Sequence, residues 1–429
     1  MKTALLWFTT DLRLRDNETL VRALAGSDQI LPVYCLPPAD FAQTTFGFPK
    51  MGYFRARFLF EALHDLDQRL RAIGSGLMIS MDPPEKAIPA FAKFFQVQSV
   101  YVKEPVGFEE IQVQQKVQES LHSLGLEFET VATSTLYHEE DLPFSVSDLP
   151  DVFTQFRNKL EKHATVRSFI PAPARINSPV IPHLVLPEFS NFGIPTITLD
   201  PRRAFDFKGG ERDAQARIAD YLFRSRAALT YKETRNGMIG ANYSTKFSAY
   251  LALGCVSPRD IYWQIKSLEG QMGANDSTYW IIFELLWRDY FWFLMKKRPK
   301  SYFLKSGIQD AQNSPKNIDL ETLQAWKSGK TGQPFIDAHM RELALTGFMS
   351  NRGRQNVASY FCHTLHQDWR YGAAYFESQL VDYDVSSNWG NWAYVAGVGN
   401  DPRPDRRFNI EKQAEIYDPN QLFQRQWLN

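Results

Sequence analysis

Leu380-Val381-Asp382-Tyr383-Asp384-Val385-Ser386-Ser387-Asn388-Trp389-Gly390-Asn391-Trp392-Ala393-Tyr394 sets two carboxylates two residues apart, then an Asn, then three aromatics within six residues. An ordinary amphipathic helix segregates its apolar and polar side chains, and this stretch mixes them on the same faces. On residues alone it fits a helix-capping loop with structural aromatics.

Working outward, Asn242-Tyr243-Ser244-Thr245-Lys246-Phe247-Ser248 leads into a predicted helix Ala249–Leu253, with Gly254 as its stop. Hydroxyls and free backbone N–H groups at a helix start suit an anion, and a simple N-cap is the plainer alternative. Asn351-Arg352-Gly353-Arg354-Gln355-Asn356 offers cations to the carboxylates. A buried carboxylate needs such a partner, so a structural salt bridge also accounts for it. Trp326-x-x-Gly329-Lys330-Thr331-Gly332-x-Pro334, Asp368-Trp369-Arg370 and Tyr417-Asp418-Pro419…Trp427 complete an ordered series.

As a set these strings resemble the photolyase/cryptochrome family, and the Asn-Trp-Gly-Asn-Trp wording resembles its cryptochrome-DASH branch. The resemblance covers nearly the whole chain and is weakest between Leu136 and Phe205. It implies a non-covalent FAD, since no Cys or His lies in the flavin motifs. Tyr231, Ser244, Thr245, Lys246, Phe247 and Ser248 match the phosphate clamp. Arg354 would pair with Asp382 beside the isoalloxazine, Asp384 would take the remaining polar edge or sugar, and Asn388 falls near flavin N5.

The chain has 429 residues, long enough for two domains. Lys+Arg 48 balance Asp+Glu 48, so a nucleic-acid partner requires a local basic groove. Aromatics at 14% suit stacking on flat ligands as well as a core. Cys35, Cys255 and Cys362 lie far apart, which argues against a disulfide framework or a zinc site and for a reducing compartment. The opening apolar run is too short for a signal peptide, and the most apolar helix carries Glu284, Arg288 and Asp289, so no membrane span is expected. A cytoplasmic monomer with no metal site is the expectation.

From Thr3 to about Ala132, strands Ala4–Phe8, Ile30–Cys35, Leu77–Met81, Ser99–Val102 and Phe128–Val131 alternate with helices near Glu18–Ala25, Tyr53–Ile73, Glu85–Phe95 and Glu109–Leu124. Such alternation predicts an α/β domain over residues 1–133 with a doubly wound parallel sheet. No Gly-x-Gly-x-x-Gly follows the first strand, which disfavours a dinucleotide dehydrogenase. Trp7-Phe8 and Asp11-Leu12-Arg13-Leu14-Arg15-Asp16-Asn17 resemble the opening of photolyases, with Thr9-Thr10 departing from that pattern. The family domain carries an antenna chromophore, in the DASH branch usually a folate (5,10-methenyltetrahydrofolate). Glu109 would meet its pterin ring, and two solvated glutamates opening a helix explain the same residues.

Seven prolines between Pro171 and Pro201 rule out a continuous helix there, so residues 134–205 read as an inter-domain connector. Residues 206–429 read as an all-α domain. Within it Glu284, Trp287 and Arg288 share one helix face. A Glu284–Arg288 ion pair accounts for two of them. The resemblance instead implies that Glu284 holds a cyclobutane pyrimidine dimer, with Trp287 stacking on it and Asn351, Gln355 and Tyr394 lining the pocket. Tyr394 and Gln355 are more polar than the usual residues of duplex-acting photolyases, matching a preference for single-stranded DNA. Arg288, Arg352, Arg403, Arg406 and Arg407 are the expected DNA contacts. Trp392 and Trp369 match the first members of the family's electron-transfer chain, and Lys316 stands where a third Trp is usual, with Tyr302 or Tyr371 as substitutes. The function implied is light-driven dimer repair. A light-sensing role with little repair, or flavin binding without photochemistry, are the alternatives.

Overall fold

The computed structural model describes residues 2–309, 318–401 and 407–429. Strands β1 (Thr3–Phe8), β2 (Gln29–Cys35), β3 (Met78–Ser80), β4 (Ser99–Lys103) and β5 (Glu127–Val131) form one sheet in the order β3-β2-β1-β4-β5. All pairings are parallel. Helices α1 (Glu18–Gly26), α2 (Tyr53–Ala72), α3 (Pro84–Phe94) and α4 (Phe108–His122) provide the crossovers. Every expected strand is present, its ends moved by at most one residue.

The central strand shows why the sheet is covered on both sides. Ala4, Leu6 and Phe8 enter one hydrophobic core, while Leu5 and Trp7 enter a second on the opposite face. The second core lies between the sheet and α3–α4, with Ile181 of the proline-rich stretch packed against it. The first runs on without interruption through α2 into the helical half, so Phe58 of α2 packs against Tyr250 with ring centroids 5.4 Å apart.

The Asp11–Asn17 turn fastens the two halves together. Leu14 and Arg15 donate backbone N–H groups to Glu211 at 2.7 and 3.2 Å, and Arg15 reaches Asp260. Asp16 pairs with Arg259 at 2.9 Å, and both side chains are nearly sealed from solvent. Gly254 sits in the left-handed region (φ 66°), and a Cβ there would meet Thr10 O at 2.2 Å. This glycine is therefore needed for close approach as well as for ending its helix.

The stretch from Pro171 to Pro201 contains no α-helix, only a short turn at Phe189–Phe192. Ahead of those prolines, within residues 134–205, α5 (Phe153–His163) forms a regular helix that the sequence reading does not name. Its buried stripe is Phe153, Phe156 and Leu160, an i, i+3, i+7 pattern that the sequence does display.

Among the described residues, sixteen elements run from α6 (Glu211–Ala219) to the C-terminal end, and besides α6 they include the helices α7 (Tyr231–Thr234), α8 (Ser248–Ala252), α9 (Pro258–Met272), α10 (Asp276–Lys297), α11 (Leu320–Lys327), α12 (Pro334–Thr346), α13 (Asn351–Ser359), α14 (Trp369–Gln379), α15 (Val385–Val395), α16 (Ile410–Tyr417) and α17 (Leu422–Leu428). The remaining elements in that count are 3₁₀ and π turns, of which the π turns Asp220–Arg224 and Tyr360–Thr364 continue α6 and α13.

Candidate functional site

A cavity of about 440 Å³ opens between α10, α13, α15 and the loop Tyr243–Phe247. A second space of about 110 Å³ shares Arg354, Asp382 and Asp384 with it and reaches Asn388 and Trp392. The stretch Leu380–Tyr394 thus forms one wall. Its helix starts at Val385, with Asp384 as N-cap accepting from Ser387 N at 2.8 Å.

Asp382 is buried, and Arg354 donates one nitrogen to both of its carboxylate oxygens at 2.8 and 3.0 Å. The same guanidinium is anchored by Nε to Met349 O at 2.9 Å. Burial opposes ionisation of Asp384, yet Arg288, the Ser387 N–H and the Ser386 hydroxyl together hold its carboxyl below the usual range. Asn388 donates to Ala373 O at 3.0 Å, which fixes its side-chain plane.

Tyr231, Ser244, Thr245, Lys246, Phe247 and Ser248 all line the larger cavity. The helix behind them starts one residue before the expected Ala249. Lys246 takes a left-handed conformation (φ 60°) and is buried, its Nζ 3.1 Å from the centre of the Tyr243 ring. Burial drives this amine well below its usual pKa. The Tyr243 hydroxyl is buried on the same wall without a protein partner.

At the cavity's outer part stand Glu284, Trp287, Asn351, Gln355 and Tyr394. Here the structure corrects one expectation. Glu284 pairs with Arg235, not with Arg288. Arg288 lies 3.7 Å from Asp384 and donates to Ser134 O, and its side chain is only 13% exposed. It is a largely covered residue rather than a rim cation, because Asp384, 13% exposed, needs a countercharge more than Glu284, 32% exposed, does. Arg235 carries no local sequence signal, since it meets Glu284 from 49 residues away. Arg352 is not among the residues lining the cavity, and it bonds Gln355 at 2.9 Å and Asn236 at 2.9 Å. Arg407 donates to His363 O. Arg403, Arg406 and Lys316 lie outside the described residues.

Trp392 crosses Trp326 and Phe376 edge-on at 6.1 and 5.1 Å between centroids. Trp369 is sealed from solvent and crosses Trp389 at 5.8 Å. Trp389 in turn touches Phe303 and Phe46, and Phe46 meets Tyr371 at 5.1 Å. Tyr302 instead bonds Asn400. Glu109 is mostly exposed and pairs with Lys50. Among the described residues, no group of three or more His, Cys, Asp or Glu is arranged to hold a metal, and no helix is long and apolar enough to cross a membrane.

Residues 4–177 match the DNA photolyase family model, and residues 280–429 match the FAD binding domain of DNA photolyase. A cryptochrome DASH from Synechocystis sp. is 48% identical over 99% of this chain and 87% of its own length. The crystal structure of a Synechocystis cryptochrome superposes with a TM-score of 0.96 at 47% identity, covering 100% of this chain and 89% of that one. A bacterial class III photolyase from Agrobacterium tumefaciens superposes with a TM-score of 0.85 at 26% identity, covering 100% of this chain and 86% of that one.

Proposed function

The chain belongs to the photolyase/cryptochrome family, with cryptochrome DASH proteins among its relatives, and on that premise we propose that it repairs cyclobutane pyrimidine dimers in single-stranded DNA under blue light. The observation that carries this reading is the Glu284 carboxylate, set in the same cavity as the Arg354–Asp382 pair and beside Trp287 and Tyr394.

The residues present fit a bound FAD. The Arg354–Asp382 pair, Asn388 and the unpartnered Tyr243 hydroxyl offer both donors and acceptors to a flat polar ring system. Ser244, Thr245 and Ser248 supply hydroxyls, and Lys246 an amine donor, suited to a diphosphate. Held by these residues in reduced form, FAD would supply electron-transfer chemistry to the dimer.

The chain's own contribution is position and electrostatics. Arg354 and Asp382 orient the flavin edge, and Asp384, held ionised by Arg288, keeps a fixed negative charge in the wall. Glu284 and Asn351 accept and donate hydrogen bonds at the base edges, while Trp287 offers its ring for stacking. Arg352, bonded to Gln355, contributes a phosphate contact. Gln355 and Tyr394 make the pocket polar, and single strands suit it because no base pairing is broken on extrusion. A folate antenna against Glu109, action as a monomer, and residence in the cytoplasm complete the proposal. The last is supported by three cysteines, all free.

The test is to illuminate the reduced protein with UV-damaged single strands and count the dimers lost. Loss of dimers in light but not in darkness is expected. Equal counts under both conditions overturn the reading.

A further inference from the structure

Helix α5 belongs to the connector, yet it runs antiparallel along α10. Glu161 accepts from the Tyr279 hydroxyl at 2.7 Å, Arg157 lies over the Phe283 ring, and Phe153 reaches Trp287. The Phe153–Trp287 contact has centroids 3.7 Å apart and planes inclined by 10°, making it the closest and most nearly parallel ring pair among the described residues. Free aromatic pairs favour offset or edge-on contacts at about 4.5–7 Å. A face-to-face pair this tight is therefore imposed by its surroundings. Phe283 and Tyr290 supply them, crossing Phe153 edge-on at 5.2 and 5.6 Å, while Tyr290 is tied by its hydroxyl to Asp151 O.

Trp287 itself stays half-buried and lines the cavity, with Phe291 and Tyr394 at 5.7 and 6.0 Å. Its indole has few polar restraints, so the neighbouring rings fix its plane. We propose that Phe153 is a positioning residue that sets the plane of Trp287 for stacking against an extruded pyrimidine dimer. It touches no reacting atom and acts through the indole alone. Part of the recognition pocket is then built by the connector rather than by the helical half. This inference rests on the reading of the cavity given above.

The test uses flavin-loaded protein and measures dark affinity for a single-stranded oligonucleotide carrying one cyclobutane dimer, against its undamaged twin. Phe153→Ala should weaken dimer binding by about three- to tenfold, the range of an aromatic contact. Binding of the undamaged strand and the flavin absorbance should stay the same. Phe153→Leu keeps apolar volume without a plane, so it should remain folded, as urea unfolding will report, and still bind the dimer weakly. In a Trp287→Ala background, adding Phe153→Ala should cost nothing further. Dimer affinity of the wild-type strength in Phe153→Leu, or an additive loss in the double variant, overturns the inference while leaving the cavity assignment standing. Unchanged dimer affinity in Trp287→Ala overturns the cavity assignment and the inference with it.

Discussion

Replacing Glu284 by Ala separates a recognition role from a structural one, because the structure gives the two very different magnitudes. Among the described residues its ion-pair partner is Arg235, and the side chains of Glu284 and Arg235 are 32% and 19% exposed. An ion pair so open to water is worth about 0.2–1 kcal/mol after screening. Hydrogen bonds from a carboxylate to a base edge are worth about 1.5–3 kcal/mol, or roughly ten- to a hundredfold in affinity. Exchanging Arg235 for a dimer therefore favours the dimer. Glu284→Ala should cost little stability by urea unfolding and leave the flavin spectrum intact. Dark binding of a dimer-containing single strand, followed by fluorescence anisotropy, should weaken by roughly ten- to a hundredfold. A double-mutant cycle with Arg235 should show weak coupling in stability, and one with Arg288 almost none. Dimer affinity equal to that of the wild type would refute the assignment, and strong stability coupling to Arg235 would make Glu284 a structural residue.

Arg354→Ala should release more flavin than Asp382→Ala, as read by absorbance after gel filtration. It strands a carboxylate whose side chain is 1% exposed, whereas the reverse change leaves a guanidinium that is 25% exposed and can recruit water. Trp392→Phe should slow photoreduction of the bound flavin by an external donor without altering flavin content, because Trp392 is the indole bordering the inner cavity; an unchanged rate would exclude it from the route. Burial pushes Glu342 up to about 8, against the pull of Lys246 and Arg354, from an ordinary 4.5. The folded chain then keeps a proton that the unfolded chain has already lost, so stability should fall as pH rises between those two values, by at most about 1.4 kcal/mol per unit. Glu342→Gln should flatten the urea midpoint as pH approaches 8, well above the ordinary imidazole value of 6.5, where His339 is neutral in both the folded and the unfolded chain and adds little slope.

What the sequence reveals follows from the range of each interaction. The five strands show themselves through short apolar runs bounded by turn residues, and the Asp382–Arg354 pair through the need of a buried carboxylate for a cation. Helical spacing points Glu284 toward Arg288, and here a local rule loses to a distant one. Asp384 arrives from the N-cap of α15 and claims Arg288, leaving Glu284 to Arg235. Neither partner is visible in a periodic pattern. Phe153 and Phe156 do carry such a pattern, but the prolines beyond them set the reading of the whole connector. The Asp11–Asn17 turn is plain as a string, yet its partners Glu211, Arg259 and Asp260 lie some two hundred residues away.

That turn, together with the core that runs from β1 through α2 into the helices, has a consequence for how the protein comes apart. A cut in the proline-rich stretch between Pro171 and Pro201 severs the backbone but touches neither the Arg259–Asp16 pair nor the Phe58–Tyr250 packing. A protease that nicks there should leave two fragments that remain associated and melt in one transition. Either fragment expressed alone would expose a face of α2 or of α6 and α8 that has no other cover, and should aggregate. The two halves are separable in topology and inseparable in solution.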